Sequence, residues 1–248
     1  MNKMSGNNVL KGVFLVGLGA TSYGMLATFV KLAYQENYTT AEVTSSQFIL
    51  GIIGILIINA FQKSKNKGTV IKKATKKNIA QLMLAGTSLG MTSVFYYLAV
   101  KYIPVSIGIV LLMQTVWMGV LLISVVIVLA GTALATNILT SEIELDWRGL
   151  MWGMLAAASF TTTMFTANSV ATEISSAQRS LYMLLGGAVI VFGFGIFTQT
   201  TPYNFDIFLK WGIVLSLFGT IIPPMLMNSG FPHTGIGLGS IVSSLELP

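Results

Sequence analysis

Cysteine is absent from the 248 residues, which excludes a disulfide framework, a thiolate metal site and a cysteine nucleophile. Histidine occurs once, as His233, in what reads as a turn. A histidine-based metal site or catalytic triad therefore has no second imidazole to draw on, and the sequence implies no cofactor and no enzyme. Charge is scarce too. Only 9% of the residues are charged, against about 25% in a soluble domain, and so few charges cannot cover a water-facing surface. No glycine–lysine spacing resembles a phosphate-binding loop, which argues against ATP-driven transport by this chain alone.

What the sequence has instead is hydrocarbon. Hydrophobic residues make up 54% and the mean hydropathy is +0.77. The expected fold class is an all-α polytopic membrane protein, because a helix crosses about 30 Å of lipid with roughly 20 apolar residues. Such stretches run from Val13 to Ala33, Val43 to Phe61, Ile79 to Val100, Gly149 to Ala171, Leu181 to Phe197, Phe208 to Asn228, and from Gly235 to the end. The start, MNKMSGNN, is too polar for a cleaved signal peptide. One further stretch, Val105 to Ile138, is too long for one span, at about 51 Å if helical. It reads as an over-long helix, as two helices in an apolar hairpin, or as two helices whose connection is missing.

Seven of the 14 basic residues lie between Lys63 and Lys77. The positive-inside rule makes this loop and the amino terminus cytoplasmic, in the inner membrane of a cell. The same lysines would meet anionic lipid. Aromatics are not interleaved with them, so nucleic acid is not the expected partner. Two spans within 105–138 would place the acidic loop of Glu142, Glu144 and Asp146 outside, which favours nine spans in all, the last cut short at Pro248.

Aligning Gly90 with Gly219 lays GMTSVFYYLAVKYIPVSIGIVLL on GTIIPPMLMNSGFPHTGIGLGSI, with Ile107 on Ile236 and Gly108 on Gly237. Lys11-Gly12 and Arg148-Gly149 begin the first and sixth spans. Five spans per repeat would invert one half relative to the other, an architecture of secondary transporters with the site near mid-membrane. Residues 1–138 would form the first repeat and 139–248 the second. Two apolar spans containing glycines also align by chance, which is the plainer alternative.

The chain resembles the EamA-type branch of the drug/metabolite transporter superfamily. The resemblance rests on GATSYGMLATFVKLA, YYLAVKYIPVSIGIVLLMQTVW, VLAGTALAT and the terminal SSLELP. It implies ten helices in two inverted five-helix repeats, and export of small organic metabolites, with amino acids or related compounds as the first guess. Two departures stand out. The polar hairpin between spans four and five is absent near Leu122/Ile123, and nothing follows SSLELP to finish span nine. Residues missing at both places are the expectation.

Polar groups inside spans tend to face a cavity or one another. Glu246 is the one acid within an apparent span, a candidate proton site or amine partner, or simply a helix cap. Tyr23, Tyr96, Tyr97, Gln114 and Trp117 would line a site for a small amphipathic metabolite, and Gln47 and Asn228 are similar candidates. Tyrosines and tryptophans also favour the lipid interface. Thr161, Thr162, Thr163, Thr166 and Asn168 either line a polar path or bond back to their own helix. Pro223-Pro224 should kink or break span eight. Lys31 and Arg179 read as interfacial anchors. Gly86 and Gly90 have the GxxxG spacing of close helix contact. A non-transporting scaffold or sensor is the alternative function, distinguished by a bundle with nothing hollow in it.

Overall fold

The computed structural model describes residues 6–65, 74–115, 118 and 146–246. The regular structure of these residues is helical: α1 (Gly6–Gln35), α2 (Thr40–Lys65), α3 (Lys76–Tyr102), α4 (Val105–Leu112), α5 (Trp147–Ser169) and α6 (Ser176–Thr198). From Phe208 the chain passes through a π-turn (Phe208–Gly212), α7 (Ile213–Ser216), a second π-turn (Leu217–Ile221) and α8 (Ile222–Ser243). A 3-10 turn (Ser244–Glu246) follows. Among the described residues, five segments are long and apolar enough to cross a membrane: 7–35, 40–64, 76–102, 176–198 and 208–243. The surface agrees. Phe197, Leu209, Ile196 and Leu84 are among the most exposed side chains, whereas Ser46, Gln47, Ser180, Thr220 and Ser240 are buried. Polar groups inside and hydrocarbon outside is the distribution of a protein solvated by lipid.

Most of 105–138, including the Leu122/Ile123 junction and VLAGTALAT, lies outside the described residues, as do Glu142, Glu144 and 66–73.

Helix ends follow local chemistry. Thr39 and Glu42 form a capping box at the start of α2: the Glu42 amide donates to Thr39 Oγ1 at 3.2 Å, and the Thr39 amide to Glu42 Oε2 at 2.8 Å. Thr75 Oγ1 accepts from the Asn78 amide, Asp146 Oδ1 from the Arg148 amide, and Ser175 Oγ from the Gln178 amide, at the starts of α3, α5 and α6. α3 ends at Ile103, where Pro104 disfavours helical backbone in the residue before it.

Contacts fix the directions of the helices. Calling the face of the α2–α3 loop the lower one, α1 rises, α2 descends, α3 rises and α4 descends. Gly149 packs on Tyr102 and Ile103 at the upper face and Gly153 on Leu111, so α5 starts beside the start of α4 and descends with it. Asn59 Nδ2 donates to the Ala177 carbonyl at the lower face, while Gly195 lies over Ala41 at the upper one, so α6 rises. Glu36 pairs with Lys210 at 3.3 Å above, and Gly12 packs on Gly230, His233 and Thr234 below, so 208–234 descends. Gly235 (φ 71°) breaks the helical backbone inside α8. Beyond it the chain turns back, with Gly239 against Phe231 and Gly17 against Val242 and Leu245. Span eight therefore extends past Asn228 to this glycine.

The expected break at Pro223-Pro224 takes the form of the second π-turn, after which α8 restarts with proline in its first turn, where the missing N–H is least costly. α1 packs chiefly against α8, α3 against α5 and α6, and α2 against α6. At the α3–α6 crossing the backbones touch: a methyl group on Gly86 would strike the Met183 carbonyl, and one on Gly186 the Met83 carbonyl.

Candidate binding site between the helix series

Two small cavities lie along α1, α3 and α5, the first bounded also by α4 and the second by α6 and α8. The first, about 30 Å³, is lined by Tyr23, Leu89, Thr92, Tyr96, Tyr97 and Phe160, among others. The second, about 20 Å³, is lined by Tyr23, Leu89, Phe160, Thr163, Met227 and Asn228, among others. At roughly 10–15 Å³ per water, they hold about two waters and one. Tyr23, Leu89 and Phe160 line both. The rings of Tyr23 and Phe160 meet edge to face, with centroids 6.0 Å apart. No charged side chain is among the lining residues of either cavity.

The polar groups around them are tied into their helices. Ser88 and Thr163 hydroxyls are 2.8 Å apart across the α3–α5 contact. Thr161, Thr162, Thr163 and Thr166 each donate to a carbonyl four residues back, so back-bonding accounts for these threonines, with Thr163 alone of the four also lining a cavity. Asn228 is 3% exposed. Its Nδ2 donates to Ser180 Oγ at 2.9 Å, while its Oδ1 has no partner. A buried acceptor without a donor costs about 1–3 kcal/mol, so a donor group entering the second cavity would gain that bond.

The other predicted residues are distributed as follows. Gln47 is buried on α2, where its Oε1 accepts from the Tyr97 hydroxyl and its Nε2 has no partner; it does not line either cavity. Gln114 is buried, and its Nε2 donates to the Val110 carbonyl at 3.1 Å. Tyr96 and Tyr97 both line the first cavity. Trp117 lies outside the described residues. Glu246 ends the 3-10 turn, and its side chain lies outside what is described. Phe160 and Leu89 escaped the sequence reading, because an apolar residue within an apolar span carries no local mark of facing a cavity.

Arg179 departs furthest from expectation. In place of an exposed anchor, it is 1% exposed. Its Nε donates to the Val170 carbonyl at 3.1 Å, Nη1 to the Asn228 carbonyl at 2.6 Å, and Nη2 to the Ala167 carbonyl. Two of these carbonyls belong to the frayed end of α5. The third is freed by Pro232, which has no N–H to offer the residue four before it. The guanidinium fork therefore replaces three missing helical bonds and joins α5, α6 and α8 directly behind Asn228.

At the upper face Glu42 is 3% exposed. Besides capping α2, its Oε1 accepts from the Asn204 amide at 2.7 Å and from Gln199 Nε2 at 3.3 Å. It pins the 199–207 loop to α2. Tyr203 joins this knot through Ser45 Oγ at 2.8 Å. Burial first, and the Glu42 charge second, lift the Tyr203 phenol above its ordinary range against the opposing effect of the Ser45 bond, so it stays neutral through physiological pH.

No family model, curated protein or solved structure matches this chain.

Proposed function

We propose that this chain is a secondary transporter of small organic metabolites, working by alternating access at a site between two inverted halves, in the manner of EamA-type transporters. The observation that carries this reading is the pair of cavities along α1, α3 and α5, the second reaching α8, which share Tyr23, Leu89 and Phe160. Ligand sites between repeats are the general expectation for such transporters.

The helix directions support the inverted relation. α1, α2 and α3 rise, descend and rise; α5, α6 and the 208–234 segment descend, rise and descend. The packing repeats as well. α1 lies on α8 as α5 lies on α3, and Gly12 meets the turn near 230–234 as Gly149 meets the turn at Tyr102–Ile103. α4 and α5 start at the same face.

On this reading the lysine loop and amino terminus face the cytoplasm, the membrane is the inner one, and the chain is an exporter. Amino acids or related compounds are the first substrates to test. Glu246 is the proposed proton site should transport be coupled. A non-transporting scaffold is the second reading, and the small size of both cavities favours it. The test is flux in proteoliposomes containing the full chain. Substrate-dependent counterflow of at least one compound, lost or altered in Tyr23→Ala and Phe160→Ala, supports transport. Absence of flux across a broad panel, with folded protein in the membrane, contradicts it.

A further inference from the structure

A separate pocket opens at the upper face, between the ends of α1 and α3 and the start of α2. Its volume is about 360 Å³, and its lining residues are Lys31, Tyr34, Asn37, Tyr38, Thr39, Thr40 and Lys101. That is the size of a small-ligand site, unlike the two cavities at mid-depth. Two ammonium groups reach it from different helices. Lys31 is partly buried and spends one of its three donors on the Val100 carbonyl at 3.2 Å, which leaves two. Lys101 is exposed.

Three acids, Glu36, Asp206 and Glu42, are near enough to act on the Tyr38 phenol, and two of them are engaged. Glu36 pairs with Lys210. Glu42 is buried against Thr39, Gln199 and Asn204, and as a first-turn carboxylate it neutralises the field of the helix end. No carboxylate is among the lining residues. Interfacial anchoring explains each lysine alone. It does not explain why both line one pocket, together with Tyr34, Asn37, Tyr38, Thr39 and Thr40.

We propose that this pocket binds a phosphate-class anion, held between the Lys31 and Lys101 ammonium groups at the amino end of α2. A dianion matches two lysines in charge, and lysine meets phosphate as a point charge on a flexible stem. The source is either a free phosphate compound or the headgroup of an anionic lipid. The site stands or falls independently of transport.

The test compares the full chain, in nanodiscs, with Lys31→Gln, Lys101→Gln and the double variant. Glutamine at 31 keeps a donor for Val100, and Lys101 is exposed, so all three should fold. In one arm the lipid is phosphatidylcholine and inorganic phosphate is titrated, with chloride of equal ionic strength as control. In the other, phosphatidylglycerol is incorporated without phosphate, and retained lipid is counted by native mass spectrometry. Thermal unfolding is read in both. The expected result is anion-specific stabilisation in at least one arm, weakened about tenfold or more in apparent affinity by the double variant. Lys63→Gln/Lys76→Gln at the lower face should leave it unchanged. The arm that responds names the source. Wild-type protein indifferent to both anions, or a double variant that responds as the wild type does, overturns the proposal.

Discussion

Arg179 illustrates how a single side chain substitutes for backbone. Three carbonyls, from Ala167, Val170 and Asn228, accept from one guanidinium. Removing it strands them inside the helix bundle, at about 1–3 kcal/mol for each buried group left unpaired. Arg179→Leu should therefore lower the thermal stability of the purified protein by several kcal/mol, measured by unfolding in detergent. Arg179→Lys should recover only part, because an ammonium cannot span the three positions of a planar fork. Equal stability of all three proteins would show that the carbonyls find other donors. The Gln47–Tyr97 pair makes a smaller, cleaner test. Tyr97→Phe leaves the Gln47 amide with neither of its ends bonded and should cost about 1–3 kcal/mol. Adding Gln47→Leu should return part of that loss, so the double-mutant cycle gives a coupling above about 0.5 kcal/mol; strict additivity would deny the interaction. The sequence placed Gln47 and Tyr97 as polar groups inside spans, but not that each would satisfy the other. For Arg179 it misled: a cation near a helix start looks like an anchor, and its partners are backbone atoms 9 and 12 residues back and on another helix.

Helices pack here according to where glycine permits backbone contact. Gly86 on α3 and Gly186 on α6 each face a carbonyl of the other helix, so a side chain at either position must push the axes apart. Gly86→Val should cost about 1–3 kcal/mol or more as overpacking and reduce the yield of folded protein. Gly193, on the same α6, has nothing within 4 Å of a built Cβ. Gly193→Ala should leave stability equal or raise it by up to about 1 kcal/mol, the difference in helix propensity. The reverse ranking of the two variants would mean that α3 and α6 do not cross at these glycines. The GxxxG spacing of Gly86 and Gly90 was legible from sequence alone; its partner, Gly186-Gly187, was visible only as two glycines in a span. Most helix boundaries were legible too, from apolar length and from Ile103-Pro104. The course of span eight was less so. Phe208 to Asn228 read as one span, but the chain stays helical to Gly235, where a left-handed backbone lets it reverse. Glycine at that position looks, in sequence, like any of the 25.

At the scale of the molecule, the proposed transport turns on symmetry and space. Taken in order, α1, α2 and α3 run opposite to α5, α6 and the 208–234 segment, and the only side chains common to both mid-depth cavities among the described residues are Tyr23, Leu89 and Phe160. The apolar composition and the lysine loop made a membrane bundle legible; the cavities were not, because they depend on which faces of α1, α3, α5 and α8 meet. The absence of cysteine makes the decisive measurement straightforward. Single cysteines are introduced at Thr92, which lines the first cavity, and at Thr163, which lines the second. Val189→Cys, at a position 62% exposed on the lipid-facing surface, serves as control. Each is treated with a membrane-impermeant thiol reagent from either side of oriented vesicles. Alternating access predicts that both cavity cysteines react from both sides, in competition with one another's access state, and that the Val189 variant reacts from neither. Cavity cysteines that never react, or that react from one side only, would contradict a site open in turn to the two faces of the membrane.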